Sequence, residues 1–321
     1  MAASVPGMRA AYAARISPDD PLAGLEVGDL PEPSVPDDWV RVEIRASSLN
    51  HHDLWSLRGV GLSEDKLPMI LGCDASGVGP DGSDVVVFPV VFDAKGRFSI
   101  LSEVFPGTLA EHVAVPAANL VPKPSQLSYA EAACLPTAWL TAYRMLVTKG
   151  QVTEGSKVLV QGAGGGVATA AIVLAKALGA TVYATSRDAE KRERAEKLGA
   201  VGFESGAKLP ERVDVVIETV GEATFEHSLK SLAYGGRVVV SGATSGHKPT
   251  IDLRRLFYFQ QEILGATMGT PDELAALMQL LASKGVKPII DSEHPFSQVR
   301  DAFERLASGE GFGKVVVDHT R

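Results

Sequence analysis

Residues 157–187 read KVLVQGAGGGVATAAIVLAKALGATVYATSR, and this stretch decides the fold. Lys157–Gln161 is a short valine-rich strand and Gly162–Gly166 a turn almost without side chains. Val167–Leu178 is a helix of small and aliphatic residues, and Thr181–Thr185 is a second strand. A turn of this kind lets backbone N–H groups approach a pyrophosphate closely, and the helix start adds partial positive charge. A lone glycine motif says little, but strand, glycine turn, helix and second strand in succession point to a dinucleotide-binding βαβ unit. Taking Gly162 as the first glycine of the fingerprint puts the third on Val167, which fits poorly. Taking Ala163 as the first gives Ala163-x-Gly165-x-x-Ala168, whose alanine ending is accepted, and this register is preferred. It makes Ala163, Gly164, Gly165, Gly166 and Val167 the expected phosphate contacts, with Gly165 nearest and required to lack a side chain.

The chain has 321 residues, enough for two domains with a substantial core. Its apolar fraction of 45%, charged fraction of 22% and net charge of −8 suit a globular protein and argue against nucleic acid or anionic membranes as partners. No apolar run reaches the length of a membrane span. The start, MAASVPGMRAAYAAR, lacks a basic region followed by an apolar block, so no secretory signal is expected, and Met1–Gly7 is expected to be a disordered tail. Cys73 and Cys134 are the only cysteines. They exclude a disulfide scaffold and a four-cysteine zinc lobe, and they fit a reducing cytoplasm.

Residues 1–127 read as short β-segments, among them Val40–Ala46, Asp84–Phe88 and Glu111–Val115, which suggests a compact β-rich domain. Ser128–Lys149 is expected to be one helix, with Ser128 as N-cap and Glu131 closing a capping box. Across residues 128–270 strands and helices alternate, the signature of an α/β fold with a doubly wound parallel sheet. After Thr270 come a helix Pro271–Lys284, a short strand, a helix Phe296–Ala307 and a final strand Gly313–Val317. Residues 271–321 are expected to return and complete the first domain.

An acidic residue at the end of the second strand binds the adenosine ribose hydroxyls and selects NAD. Here Ser186 and Arg187 hold that place, with Lys191 and Arg192 on the next helix. A hydroxyl and a guanidinium can accept a 2′-phosphate that a carboxylate would repel. The expected cofactor is therefore NADP(H). A charge-assisted hydrogen bond of about 1.5–3 kcal/mol corresponds to a preference of about ten- to hundredfold.

Several further stretches carry a resemblance: VRVEIRASSLNHHDLWSLRG (40–59), LPMILGCDASG (67–77), GTLAEHVAVPAANLVPKP (107–124), LSYAEAACLPTAWLTAYRML (127–146), DVVIETVG (214–221), GRVVVSGATSG (236–246), EILGATMGT (262–270) and GFGKVVV (311–317). With the glycine turn, they make the chain resemble the medium-chain dehydrogenase/reductase superfamily over its whole length, on its zinc-free quinone oxidoreductase and enoyl-reductase side. The resemblance implies a GroES-like catalytic domain, a Rossmann domain and an active site in the cleft between them.

Zinc relatives in this superfamily ligate their metal through residues that align here with Asn50, Cys73 and Thr137. Asn and Thr are poor zinc ligands, so no metal site is expected. A counter-reading gathers a new site from His51, His52, Cys73 and Asp74, but adjacent residues rarely converge on one centre. Without a Lewis acid, oxidising a plain alcohol is disfavoured, while hydride addition to a quinone or a conjugated enone stays feasible. By resemblance, Asn50 and Thr137 lie beside the nicotinamide and its ribose. Gly242, Ala243, Thr244, Ser245, Thr267 and Met268 border the nicotinamide, and Val220 borders the adenosine half. Phe312, Gly313 and Lys314 approach the cofactor from the C-terminal segment.

His52 stands where zinc relatives carry the hydroxyl of a proton relay. It is either a proton donor to the reduced substrate or an ordinary hydrogen-bonded histidine. His51 faces the pyrophosphate in this alignment. Trp55 replaces a tyrosine common in quinone oxidoreductases, and Trp139 reads as packing. The alternatives to an NADPH-dependent reductase of small molecules are a zinc alcohol dehydrogenase with altered ligands and a non-enzymatic NADPH-binding protein. The resemblance also implies a homodimer, because Glu262–Ala266 resembles the edge strand through which relatives join their Rossmann sheets, and its apolar, β-prone residues invite pairing.

Overall fold

The structure, a computed structural model, describes residues 7–92 and 95–321. Met1–Pro6 of the expected tail lie outside the described residues, and Gly7 begins the strand Gly7–Ala13. The chain divides into two compact units: Met1–Thr137 with Leu274–Met278 and Ile290–Arg321, and Ala138–Glu273 with Gln279–Ile289. The division falls at Thr137 and not at residue 127, so the helix Tyr129–Ala133 belongs with the first unit.

The second unit is a six-stranded parallel sheet. Its order runs from Val201–Phe203 through Thr181–Thr185, Lys157–Val160, Val213–Glu218 and Leu232–Val240 to Glu262–Gly265. The inner strands are runs of valine and isoleucine because helices cover both faces. The helix Gly166–Ala177 buries Ala168, Ala170, Ala171 and Ala175, whose methyl groups allow close approach to the sheet, while Ile172 and Leu174 fill the space beside them. Each of those larger aliphatic chains contributes about 1.5–3 kcal/mol by leaving water. The strand order reverses direction at Lys157–Val160, which sets the glycine turn at the switch point where open α/β sheets take ligands.

In the first unit the long strand Trp39–Ser48 is central. Asp74–Val78 pairs with it on one side and Lys314–Asp318 on the other, both antiparallel, and His112–Pro116 pairs with its first half. The register sets Ser48 opposite both Asp74 and Val316. The chain after the strand stays tied to its neighbour, with Leu49 N donating to Val315 O at 2.9 Å. Behind this sheet Leu49, Leu54, Leu57, Phe296, Phe303, Val315 and Val317 form one buried cluster. Lys314–Asp318 is therefore an integral strand of the first unit, while Gln279–Ile289, part of the segment expected to return with it, lies in the second unit.

The expected helix Ser128–Lys149 is not continuous. Ser128 and Glu131 do form the capping box, but Tyr129–Ala133 gives way to a π-helical turn Leu135–Trp139, then Leu140–Tyr143, then a second π segment Arg144–Lys149. Pro136 has no N–H for the i→i−4 ladder, which accounts for the first widened turn. Phe296–Ala307 likewise opens with a 3₁₀ turn, Phe296–Gln298, before the helix Val299–Ser308. Pro271–Lys284 forms as expected, with Thr270 and Glu273 in a reciprocal capping box and Gly285 in the left-handed conformation at its end. Among the described residues no helix is long and apolar enough to cross a membrane.

Candidate active site

The register of the first unit concentrates polar side chains at one end of its sheet. Asp74 is fully buried, and every direction of its carboxylate is occupied. Oδ1 accepts from Thr137 Oγ1 at 2.5 Å. Oδ2 accepts from Asn50 Nδ2 at 2.8 Å and lies 3.0 Å from Ser48 Oγ and 3.3 Å from Lys314 Nζ. The widened turn Leu135–Trp139 is what presents Thr137 to this carboxylate. Opposite it, Lys314 is only 2% exposed, and its three N–H bonds go to Leu49 O at 2.7 Å, Asn50 Oδ1 at 2.6 Å and Asp74 Oδ2.

These neighbours fix the Asn50 amide. Its oxygen must face the ammonium and its nitrogen the carboxylate, since the reverse would oppose donor to donor and acceptor to acceptor. The second Asn50 N–H has only contacts at 3.5 Å, to Ser48 O and Cys73 Sγ. Asn50 also starts the helix His51–Leu57, where its backbone N–H donates to Asp53 Oδ2 at 2.8 Å. The other Asp53 oxygen accepts from Gly72 N at 3.0 Å, which fastens the loop carrying Cys73.

His52 turns toward a residue the sequence reading did not single out. Its Nε2 lies 3.1 Å from Glu103 Oε1, and the other Glu103 oxygen accepts from Ile100 N at 3.1 Å. Burial alone would pull the imidazolium down, but hydrogen bonds to Cys73 and Glu103 outweigh it and leave His52 above its ordinary value. Burial likewise pushes Glu103 up, yet the His52 and Ile100 donors bring it below the usual carboxylate range. Burial and the Asp74 charge push the Cys73 thiol up, so it stays protonated. His51 is exposed at the start of its helix, and Trp55 is 38% exposed, with the Arg58 guanidinium 5.2 Å from its ring centre.

These groups are a poor match to zinc. Asn50 Oδ1 is taken by an ammonium, Thr137 spends its proton on Asp74, and Cys73 is a buried neutral thiol. Among the described residues one group of His, Cys and carboxylate atoms is tight enough for an ion: His52, Asp53 and Cys73, within 4.8 Å of one another. Both Asp53 oxygens already accept backbone N–H bonds and His52 Nε2 faces Glu103, leaving Nδ1 and the thiol. Two donors do not make a four-coordinate site. His51 and Asp74, the other members of the counter-reading, are not in this group.

The second unit holds the glycine turn, the strand end at Ser186 and the Val220, Gly242–Ser245 and Thr267 loops named as dinucleotide contacts. Gly162 and Gly164 take positive φ, at 74° and 131°, and a Cβ on Gly162 would sit 2.6 Å from Val220 Cγ2. Gly165 is the exposed N-cap of Gly166–Ala177, with an ordinary φ of −67°. A Cβ there meets nothing of the chain within 4 Å, so neither backbone strain nor packing requires glycine at that position. The space in front of it, at a helix N-terminus, is what a pyrophosphate needs. Ala163 is 5% exposed, with its N–H on Thr185 O.

The loop Gly242–Ser245 is fastened to the Val220 turn. Ser245 N and Oγ both donate to Val220 O at 2.7 Å, and Thr244 N contacts Thr219 O. Val220 N and Gly221 N donate to the buried Glu218, which also takes the hydroxyls of Thr224 and Ser228. At the strand end Ser186 is 7% exposed and Arg187 lies on the surface. The next residue, Asp188, accepts the N–H bonds of Glu190 and Lys191 on Oδ1, where it caps their helix. Arg192 donates to Ser186 O at 2.7 Å, and Lys191 is half-buried.

Three positions differ from expectation. Lys314 belongs to the Asp74 network with all its N–H groups spent, so it has none to offer a cofactor. Phe312 is 2% exposed, with its N–H on Asp291, so its ring packs inside its unit, next to Gly313 at φ 114°. Met268 is 3% exposed and its N–H goes to Thr141 Oγ1, which leaves Thr267 as the exposed member of that pair. Trp139 is fully buried, as packing requires. Glu103 was missed because its partner His52 lies far away in sequence. Glu218 was missed although its partners Val220, Gly221, Thr224 and Ser228 follow it closely. Asp74 was named only in the zinc counter-reading.

Residues 36–125 match the alcohol dehydrogenase GroES-like domain, and residues 166–283 match the zinc-binding dehydrogenase family. The chain is 33% identical over 307 residues to 2-methylene-furan-3-one reductase of Solanum lycopersicum, covering 89% of this chain and 73% of that protein. A solved NAD-dependent alcohol dehydrogenase is 35% identical, with a TM-score of 0.88 over 97% of this chain and 99% of that one. The 2-octenoyl-CoA carboxylase reductase CinF, solved with NADP and 2-octenoyl-CoA, is 28% identical, with a TM-score of 0.90 over 99% and 89%.

Proposed function

This chain belongs to the medium-chain dehydrogenase/reductase superfamily and is an oxidoreductase, and on that premise we propose that it passes hydride from NADPH to a quinone or an α,β-unsaturated carbonyl without a catalytic zinc ion. The observation that carries this reading is the closed network of Asn50, Thr137, Asp74 and Lys314. It fills the positions aligned with the metal ligands with hydrogen bonds and an ammonium group. A 2-methylene-furan-3-one reductase and a 2-octenoyl-CoA carboxylase reductase among the proteins it is similar to suit an enone-like acceptor.

Reduced nicotinamide supplies the hydride when bound. An enone accepts it at the β-carbon, and the C=C electron pair moves to leave an enolate with negative charge on oxygen. The second Asn50 N–H is the donor left for that oxygen. His52, held cationic against Glu103, is the group able to return a proton. Ser186 and Arg187 receive the 2′-phosphate, and Asp188 beside them turns one carboxylate oxygen to the helix N–H groups of Glu190 and Lys191. The chain works as a homodimer through the edge strand Glu262–Gly265, and its two free, buried cysteines suit the cytoplasm.

Turnover of NADPH and NADH with a panel of quinones and enones, alongside metal analysis of the purified protein, tests this reading. NADPH-dependent turnover by metal-free protein is expected. Stoichiometric zinc, or no turnover with either acceptor class, overturns it.

A further inference from the structure

We infer that Lys314 charges the hydrogen-bond donor of the site: its ammonium, fixed on Asn50 Oδ1, polarises the Asn50 amide so that its second Nδ2–H, held only by contacts at 3.5 Å, stabilises negative charge developing on the substrate oxygen. The inference rests on the reductase reading and adds to it a built-in cation in place of a Lewis acid.

Three observations carry it. The Lys314–Asn50 contact, at 2.6 Å, is the shortest of the three that Lys314 makes, and it falls on the amide oxygen and not on the carboxylate, which is 3.3 Å away. An ammonium whose only task was to neutralise Asp74 would sit closest to Asp74. The orientation of the amide is fixed at both ends, by the ammonium on its oxygen and Asp74 on one N–H, so the remaining N–H, with only the 3.5 Å contacts to Ser48 O and Cys73 Sγ, needs no reorganisation of the amide to be polarised. The network is also dry, with Asp74 at 0%, Lys314 at 2% and Asn50 at 8% exposure, and polarisation through a chain of hydrogen bonds is not screened there. Lys314 touches no substrate atom in this scheme. It is a positioning residue that acts through Asn50.

The test separates polarisation from charge neutralisation. Lys314→Met alone strands a buried carboxylate, so the decisive variant is the double Lys314→Met/Asp74→Asn, which removes both charges. It is measured as the full-length protein with NADPH and a series of enones of graded electron demand. The double variant is expected to fold, to keep its KM for NADPH, to lose about tenfold or more in kcat, and to show its largest losses with the acceptors that place most charge on oxygen. The Asn50 side-chain amide proton is expected to move upfield in the NMR spectrum. Wild-type kcat in the double variant would overturn the inference by reducing Lys314 to a counter-ion. If the wild-type protein turns over no acceptor, the reductase reading itself fails, and an unchanged Asn50 resonance then refutes the polarisation separately.

Discussion

Lys314 Nζ and Asp74 Oδ2 lie 3.3 Å apart with both side chains sealed from solvent. A buried pair of this kind adds little net stability, because desolvation offsets attraction, but removing one partner leaves an uncompensated charge. Lys314→Met is therefore expected to cost about 3–5 kcal/mol in urea unfolding. Adding Asp74→Asn should return most of that loss. A single variant as stable as the wild type would mean that Asp74 is not held as an anion.

Arg187 is exposed at the end of Thr181–Thr185, and Asp188 beside it caps the following helix. Arg187→Ala should therefore raise the KM for NADPH by about ten- to hundredfold, the worth of one charge-assisted hydrogen bond, and leave NADH unaffected. Steady-state kinetics with both cofactors measure this. An equal change for the two would place the arginine away from the 2′-phosphate.

The second unit was legible in the sequence because its signals are local. Thr181–Thr185, Val213–Glu218 and Pro271–Lys284 follow from valine runs, helical period and caps read within a few residues. The widened turn at Pro136 has a local cause as well, but a pattern of apolar residues does not reveal a π-helix. The site of the first unit is different. Asp74, Thr137 and Lys314 meet only because strands and a returning C-terminus set them in register, so the sequence named Lys314 and Asp74 in separate roles and did not pair them. Glu103 reaches His52 from a stretch 51 residues further along the chain, where no local pattern marks it.

The His52–Glu103 pair sets a pH dependence whose sign follows from the two shifts. His52 is raised, so its contribution to stability is complete below about pH 6.5 and is lost as pH rises through the folded value. Glu103 is lowered, so its contribution is present above the ordinary carboxylate value and is lost as pH falls through the folded one. Across neutrality both stay charged, and a proton-dependent rate should be flat there. Glu103→Gln removes the stabilising charge and should bring the His52 titration down toward neutrality, with the rate falling as pH rises. NMR titration of the His52 ring reports this directly. Wild-type titration near pH 6.5 would dissolve the pair.

His319 behaves in the opposite sense. It packs against Phe296 with ring centres 4.9 Å apart, and both of its ring nitrogens are buried. Burial and the nearby Arg9 charge, opposed by Asp318 and the Ala110 backbone, pull its value down to about 3. The unfolded chain then binds the proton more readily than the folded one. Stability should fall by about 1.4 kcal/mol for each pH unit below about 6.5, levelling off near the folded value. Urea unfolding of His319→Phe against the wild type isolates this contribution. The variant should show a shallower loss between pH 6 and pH 4, and parallel curves would exclude His319 as the source.

The edge strand Glu262–Gly265 pairs on one side only, with Leu232–Val240, and its residues are largely exposed. Leu253, Phe257 and Tyr258, on the helix just before it, are exposed at 66%, 71% and 71%, and Ile263 at 36%. An open edge beside bare aromatic side chains is what a second copy covers, since a lone edge normally carries charge or proline against such pairing. Ile263→Lys puts a charge on that edge while leaving the inner ladder intact. Light scattering at micromolar concentration should give a dimer for the wild type and a monomer for the variant. NADPH binding and the unfolding midpoint of the isolated chain should change little, which separates lost pairing from a damaged fold. A wild-type monomer at that concentration would remove the edge as an interface.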